Sequence, residues 1–263
     1  MDLSEDILEK ARAHVVGDIR ALQELIRGYP PKTTPVDALV RLGEAIRQNE
    51  LGVVSRAIEE GARSGRVSTC LGCREGYCCS IHVDASLLDA VLVADFLDKA
   101  GRNTPEFRDQ LHARYLEEAR FGRLEWFDHR TPCLFLESGS CSVYPARPMA
   151  CVMYYVVGSP VELCASGGKV HYAGMPTILM GSVCRATGFQ HLAGFRSRTT
   201  EEILVSSLAG AVWSVLEAWP ARADPATFRR RILATFPAHF PDEGEQRGEI
   251  DCLFPGMKVG GTR

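Results

Sequence analysis

Apolar residues return at helical spacing over residues 4–28, where Ile7, Leu8, Ala11, Val15, Ile19, Leu22 and Ile26 fall on one face. With Ser4 as a cap and Gly28 as a stop, the pattern predicts an amphipathic helix. After the interruption "YPPKTTP" the period resumes from about Val36 to Ala62, carried by Leu39, Leu42, Ile46, Val54 and Ile58. The chain therefore opens as a helical hairpin, residues 1–66, in which no residue stands out for its chemistry.

Two further helices are predicted beyond it. "SLLDAVLVADFLDKAG" is capped near Asp84 or Ser86 and stopped by Gly101; "TPEFRDQLHARYLEEARFG" opens on Thr104 with Pro105 in its first turn. "VMYYVVG" and "KVHYAGMPTILMG" then set β-branched and aromatic residues between glycine and proline, the signature of short strands. Helical patterning returns with "TTEEILVSSLAGAVWSVLEAWP", for which Thr199 or Thr200 is the expected cap, and again between Pro225 and Pro237. The tail "PGMKVGGTR" reads as loose, and no internal repeat or low-complexity segment is evident. The expected fold is an α-rich α+β protein. Its parts are the hairpin at 1–66, a cysteine-rich, metal-organised centre with short strands at 67–190, and a helical segment at 191–263 packed on the centre.

At 263 residues the chain can bury a core without covalent staples. A formal charge of -3 with interspersed signs offers no basic stripe, so nucleic acid is not expected as a partner. Acids stand where a secretory signal carries a basic region, and no apolar run approaches the roughly 18 residues of a membrane span. A cytoplasmic protein without a membrane partner is expected. In a reducing compartment, clustered cysteines point to metal or redox chemistry before disulfides.

The ten cysteines are far from evenly spread. "CLGCREGYCC" holds Cys70, Cys73, Cys78 and Cys79 within ten residues. A Cys-x-x-Cys pair lets two thiolates converge on one ion across a tight turn, and Gly72 supplies the backbone freedom. The adjacent pair Cys78 and Cys79 points beyond a single finger-like site, because neighbouring side chains diverge. A second group, "TPCLFLESGSCSVYPARPMAC", adds Cys133, Cys141 and Cys151, punctuated by Gly139, Pro145 and Pro148. Turns stiffened by proline suit ligands that are held before a metal arrives. Cys164 and Cys184 complete nine candidate ligands, while Cys252 lies apart and reads as a bystander.

These two groups resemble the cysteine-cluster family described as a zinc- or iron-chelating domain, often called YkgJ-like or CxxCxxCC. The resemblance covers roughly residues 67–155. In that family Cys-x-Phe-Leu, a glycine turn, Cys-x-Ile-Tyr, a residue pair, Arg-Pro and a final Cys follow one another. Here Cys133, Phe135, Leu136, Cys141, Tyr144, Arg147, Pro148 and Cys151 take those places. The chain departs from the pattern in two ways: Arg74 to Tyr77 put four residues where the family name has two, and Val152 stands where an Arg often follows. The resemblance also implies a branch that transfers methyl groups from S-adenosylmethionine to flagellin lysines. No strand, glycine-rich turn and helix in series supports a methyl-donor site here, so that activity is not expected.

Other readings carry less weight. A thioredoxin-like pair needs a strand before the first cysteine, and helical sequence precedes Cys70. His82 and His129 read as hydrogen-bonding histidines before ligands, and "SGGKV" lacks the spacing of a phosphate loop. Arg147 fits equally a donor to sulfur or an anion and a salt bridge that fixes its turn. Zinc and iron–sulfur centres both take thiolates, but facing Cys-x-x-Cys pairs mark structural zinc, and this chain has one such pair among irregular spacings. The balance tilts to an iron–sulfur cluster or related iron site, with zinc as the alternative. An iron centre implies a redox or cluster-dependent enzymatic role on a small-molecule substrate. A zinc module implies binding of a protein partner, and labile thiols imply metal handling. Whether the chain is an enzyme is not legible.

Overall fold

The computed structural model describes residues 35–63, 77–80, 83–121, 131–153, 189–190 and 204–237. Within them the fold is α-rich with a few short antiparallel strands, an α+β arrangement as the periodicity predicts. Helix α1 (Val36–Arg63) occupies the second predicted stretch and buries Val36, Leu39, Val40 and Ile46. The predicted helix over residues 4–28 lies outside the described residues.

Strand β1 (Asp84–Ser86) runs straight into α2 (Leu87–Lys99). Ser86 caps that helix, accepting the Asp89 N–H on its hydroxyl. Nine residues of α2, from Leu87 to Leu97, are buried, so it is apolar nearly all round and sits inside the protein. Its C-terminus ends as the sequence predicts: Gly101 adopts φ of 69°, the Arg102 N–H reaches the Leu97 carbonyl at 2.8 Å and Gly101 N–H reaches Asp98 at 3.0 Å. This is the Schellman arrangement, in which glycine takes the left-handed position without a Cβ clash. Helix α3 (Pro105–Glu118) opens on Thr104, whose hydroxyl accepts the Phe107 N–H, with Pro105 at the first helical position where no donor is needed.

Near the C-terminal end, β4 (Val205–Ser207) pairs antiparallel with β1 in the register Asp84↔Ser207, Ala85↔Ser206, Ser86↔Val205. It leads directly into α5 (Leu208–Ala218), capped by Ser207. This corrects the expected cap at Thr199 or Thr200, which lie outside the described residues. The helix starts at Leu208 because residues 205–207 are held extended by the partner strand. Helix α6 (Pro225–Thr235) follows, with Asp224 as its cap, in the predicted place before Pro237. The two strand-to-helix units mirror each other, sharing Ser-Leu-x-x-Ala-Val at 86–91 and 207–212, a repeat of six residues that is too short to stand out in the sequence. Reciprocal bonds lock them: Leu87 N–H to the Leu204 carbonyl at 3.0 Å and Leu208 N–H to the Val83 carbonyl at 2.8 Å.

Helix α5 is the hub, packed against α2, α3 and α6. Leu208, Ala211, Val212, Val215 and Leu216 of α5 meet Leu97 of α2, Leu111 of α3 and Ile232 of α6 in one buried cluster. Each fully buried valine, leucine or isoleucine side chain contributes about 1.5–3 kcal/mol relative to exposure. On the flank of the hub His112 stacks on Trp213 at 4.1 Å between centroids. Among the described residues no helix is long and apolar enough to cross a membrane.

Two strand expectations are revised or untouched. Val152 and Met153 of "VMYYVVG" belong to helix α4 (Met149–Met153), which caps the Pro148 turn, while the rest of that segment and residues 169–181 lie outside the described residues. The strands seen in the cysteine-rich centre are instead β2 (Leu136–Glu137) and β3 (Ser140–Cys141).

Candidate metal centre

The second cysteine group is built on a minimal hairpin. Strands β2 and β3 pair as Leu136↔Cys141 and Glu137↔Ser140, joined only by Ser138 and Gly139. Both linking residues have positive φ, 50° and 78°, the two-residue turn whose twist matches that of paired strands. Ser142 N–H closes the hairpin on the Phe135 carbonyl at 2.7 Å, and the Leu136 N–H bonds the Cys133 carbonyl at 3.0 Å. The hairpin therefore folds Cys141 back beside Cys133. A side chain at Gly139 would force a β-carbon into the left-handed region, so Gly139→Val is expected to cost about 1–2 kcal/mol. A denaturant melt should show that loss together with weaker metal binding.

The first group meets the second through the backbone. Cys79 lies in a 3₁₀ turn over Tyr77–Ser80, and its carbonyl accepts the Cys133 N–H at 2.6 Å. Cys151 sits in α4, after a 3₁₀ turn at Tyr144–Ala146 and Pro148. Cys133, Cys141 and Cys151 are all half-buried and pack against the hydrophobic core. Cys78 shares the turn with Cys79, but its side chain, like Cys70, Cys73, Cys164 and Cys184, lies outside the described residues, as do His82, His129 and Cys252. Among the described residues no group of three or more His, Cys, Asp or Glu side chains converges as a metal site.

The chemistry of the described donors fits a soft or borderline metal: Cys79, Cys133, Cys141 and Cys151 carry thiols, not disulfide sulfurs. Burial pushes the Cys133 thiol up to about 11, against the pull of a hydrogen bond from the Phe135 backbone; Cys141 and Glu118 raise it further and Arg114 opposes them. A thiol so placed is neutral and unreactive near pH 7 without a metal. Metal binding must expel its proton, so affinity should fall as pH drops and rise about tenfold per pH unit for each thiol proton released below its pKa. Titration calorimetry in buffers of different ionisation enthalpy would count those protons.

A small cavity opens beside Cys133, lined in part by Arg114, Glu118, Thr131, Leu134 and Leu208. It sets one cation and one carboxylate near the sulfur. Arg147, which fitted both an anion donor and a salt bridge, lies over the Tyr144 ring at 4.1 Å to its centroid. That contact stiffens the Tyr144 to Pro148 turn by cation–π attraction. The capping residue Asp89, which sequence reasoning did not single out, also reaches this region, its carboxylate accepting the Met149 N–H at 2.9 Å. The Ser86-x-x-Asp89 spacing was the available signal.

Three cysteine-bearing segments, at Cys79, at Cys133 to Cys141 and at Cys151, are thus gathered on the α-rich core. The family model CxxCxxCC, described as "Putative zinc- or iron-chelating domain", is found at residues 69–171. The match takes in Cys70 to Cys164 and stops before Cys184. Comparison with curated proteins and with solved structures finds no match.

Proposed function

We propose that the cysteine-rich centre holds an iron–sulfur cluster or a related thiolate-bound iron site, and that the chain uses it in a redox or cluster-dependent reaction on a small-molecule substrate in the cytoplasm. The match over residues 69–171 supports metal binding, zinc or iron, by this part of the chain. The observation that carries the reading is the junction of the two cysteine groups: Cys79 and Cys133 share a backbone hydrogen bond, with Cys141 close enough to act on the Cys133 thiol. Iron is favoured by the adjacent Cys78 and Cys79 and by the uneven spacing of Cys133, Cys141 and Cys151, with Cys70, Cys73, Cys164 and Cys184 available to complete the set. An iron–sulfur cluster supplies electron transfer at a potential set by burial and by hydrogen bonds to its sulfurs. The half-buried Cys133, with the Phe135 backbone directed at its sulfur, provides both influences.

The packing of Cys133, Cys141 and Cys151 on the core also favours a second reading, in which closed zinc sites stiffen the centre and the flanking helices bind a protein partner. Metal and acid-labile sulfide analysis of protein purified without oxygen decides between them. Iron with sulfide and a visible absorption that bleaches on reduction is the expected result. Colourless protein with zinc and no sulfide overturns the iron reading in favour of the zinc module.

A further inference from the structure

Asp89 is buried, 8% exposed, and its carboxylate accepts three hydrogen bonds. Oδ2 accepts the Ser86 N–H at 3.0 Å and the Ser86 hydroxyl at 2.7 Å, completing a capping box at the start of α2. Oδ1 instead accepts the Met149 N–H at 2.9 Å, from a residue sixty positions away. Met149 opens α4, the short helix that holds Cys151 two residues further on. One carboxylate thus joins the N-terminus of a core helix to the backbone that carries a cysteine.

The protein contains its own comparison for this arrangement. In the mirrored unit at β4 and α5 the position equivalent to Asp89 is Gly210, and Ser207 caps the helix alone, accepting the Gly210 N–H at 3.2 Å. A strand-to-helix junction of this kind is therefore capped without a carboxylate. At the first junction the carboxylate has a further role, and burying one is costly unless it is fully hydrogen-bonded. Pro148 lacks an N–H, so the Met149 N–H is the first donor at this end of α4 and the one the carboxylate can hold.

We propose that Asp89 is the positioning residue for Cys151: by binding the Met149 N–H it pre-organises the third cysteine segment for the metal. This rests on the metal-binding reading above. Partners that orient metal ligands typically cost about 10–100-fold in affinity when removed.

The test titrates the metal-free full chain with Co²⁺ and follows the thiolate-to-cobalt charge-transfer band. Asp89→Ala is compared with Ser86→Ala, which damages the cap of α2 but leaves the bond from Met149 to Asp89 in place. Asp89→Ala is expected to bind cobalt about 10–100-fold more weakly, with a less intense band per cobalt as one thiolate drops away. Ser86→Ala should lower the melting temperature and stay within about twofold of the wild-type affinity, since no ligand support is lost. Equal affinities in the two variants would reduce Asp89 to a helix cap and overturn the proposal. Should Asp89→Ala fail to fold, the pair Met149→Pro and Met149→Ala isolates the bond, since both lose the same side chain and only proline lacks the N–H at a position that tolerates it. Weaker binding in the proline variant sustains the proposal, and identical binding overturns it. A wild-type chain that gives no charge-transfer band at all overturns the metal reading itself, and the positioning role with it.

Discussion

Cys133→Ser is expected to strip the centre of its metal and to lower the melting temperature of the metal-loaded protein by about 8–16 °C. The size follows from linkage: a metal present at a thousand times its dissociation constant stabilises the folded chain by about 4 kcal/mol, and a domain of this size shifts by roughly 2–4 °C per kcal/mol. Serine keeps the shape of the side chain but offers a poor ligand to a soft or borderline metal. Cys133 stands at the point where the groups meet, bonded through its N–H to Cys79 and folded against Cys141 by the hairpin. The metal-free variant should melt close to or slightly below the metal-free wild type, because serine has the shape of cysteine but its hydroxyl loses more than a thiol on partial burial. Cys73→Ser should behave in the same way if its thiolate completes the site. Metal content and melting temperature unchanged in both variants would remove the central claim about these thiols.

The parts of this fold that were legible in the sequence are those decided within one turn of chain. Ser86, Thr104 and Pro105 start helices and Gly101 ends one through contacts no more than a few residues long, so local signals sufficed. The start of α5 is not legible locally, because the extended backbone of Val205–Ser207 depends on β1, more than a hundred residues earlier in the chain. Strands β2 and β3 have two residues each, too short for an alternating pattern to emerge, although Ser138-Gly139 is the kind of dipeptide such a turn demands. The cysteine spacing pointed to thiolate chelation of zinc or iron, which the family match over residues 69–171 supports. It did not reveal how Cys151 is held, because the bond from Met149 to Asp89 joins two elements that share no pattern.

The same logic identifies the apolar anchor of the centre. Phe135 lies between Cys133 and Cys141 and is 1% exposed, with its ring 6.1 Å from that of Phe107 at the start of α3. Arg102 covers the Phe107 ring at 5.1 Å and forms an ion pair with Glu137 on the hairpin, so the loop is fastened to the α2–α3 corner from both sides. The exposed ion pair contributes little, about 0–1 kcal/mol, whereas emptying the phenylalanine site costs about 3–5 kcal/mol. Phe135→Ala should therefore lower the denaturant midpoint of the metal-free chain by an amount equivalent to that cost, and weaken metal binding as Cys133 and Cys141 lose their common support. Trp219→Ala provides the control. Trp219 is 2% exposed and packs edge-on against Phe228 at 6.0 Å, and its loss should cost a similar free energy. If stability falls alike in both but metal affinity falls only in Phe135→Ala, the anchor acts on the cysteines locally. If affinity falls alike in both, the centre responds only to global stability, and the hairpin has no separate part in presenting its thiols.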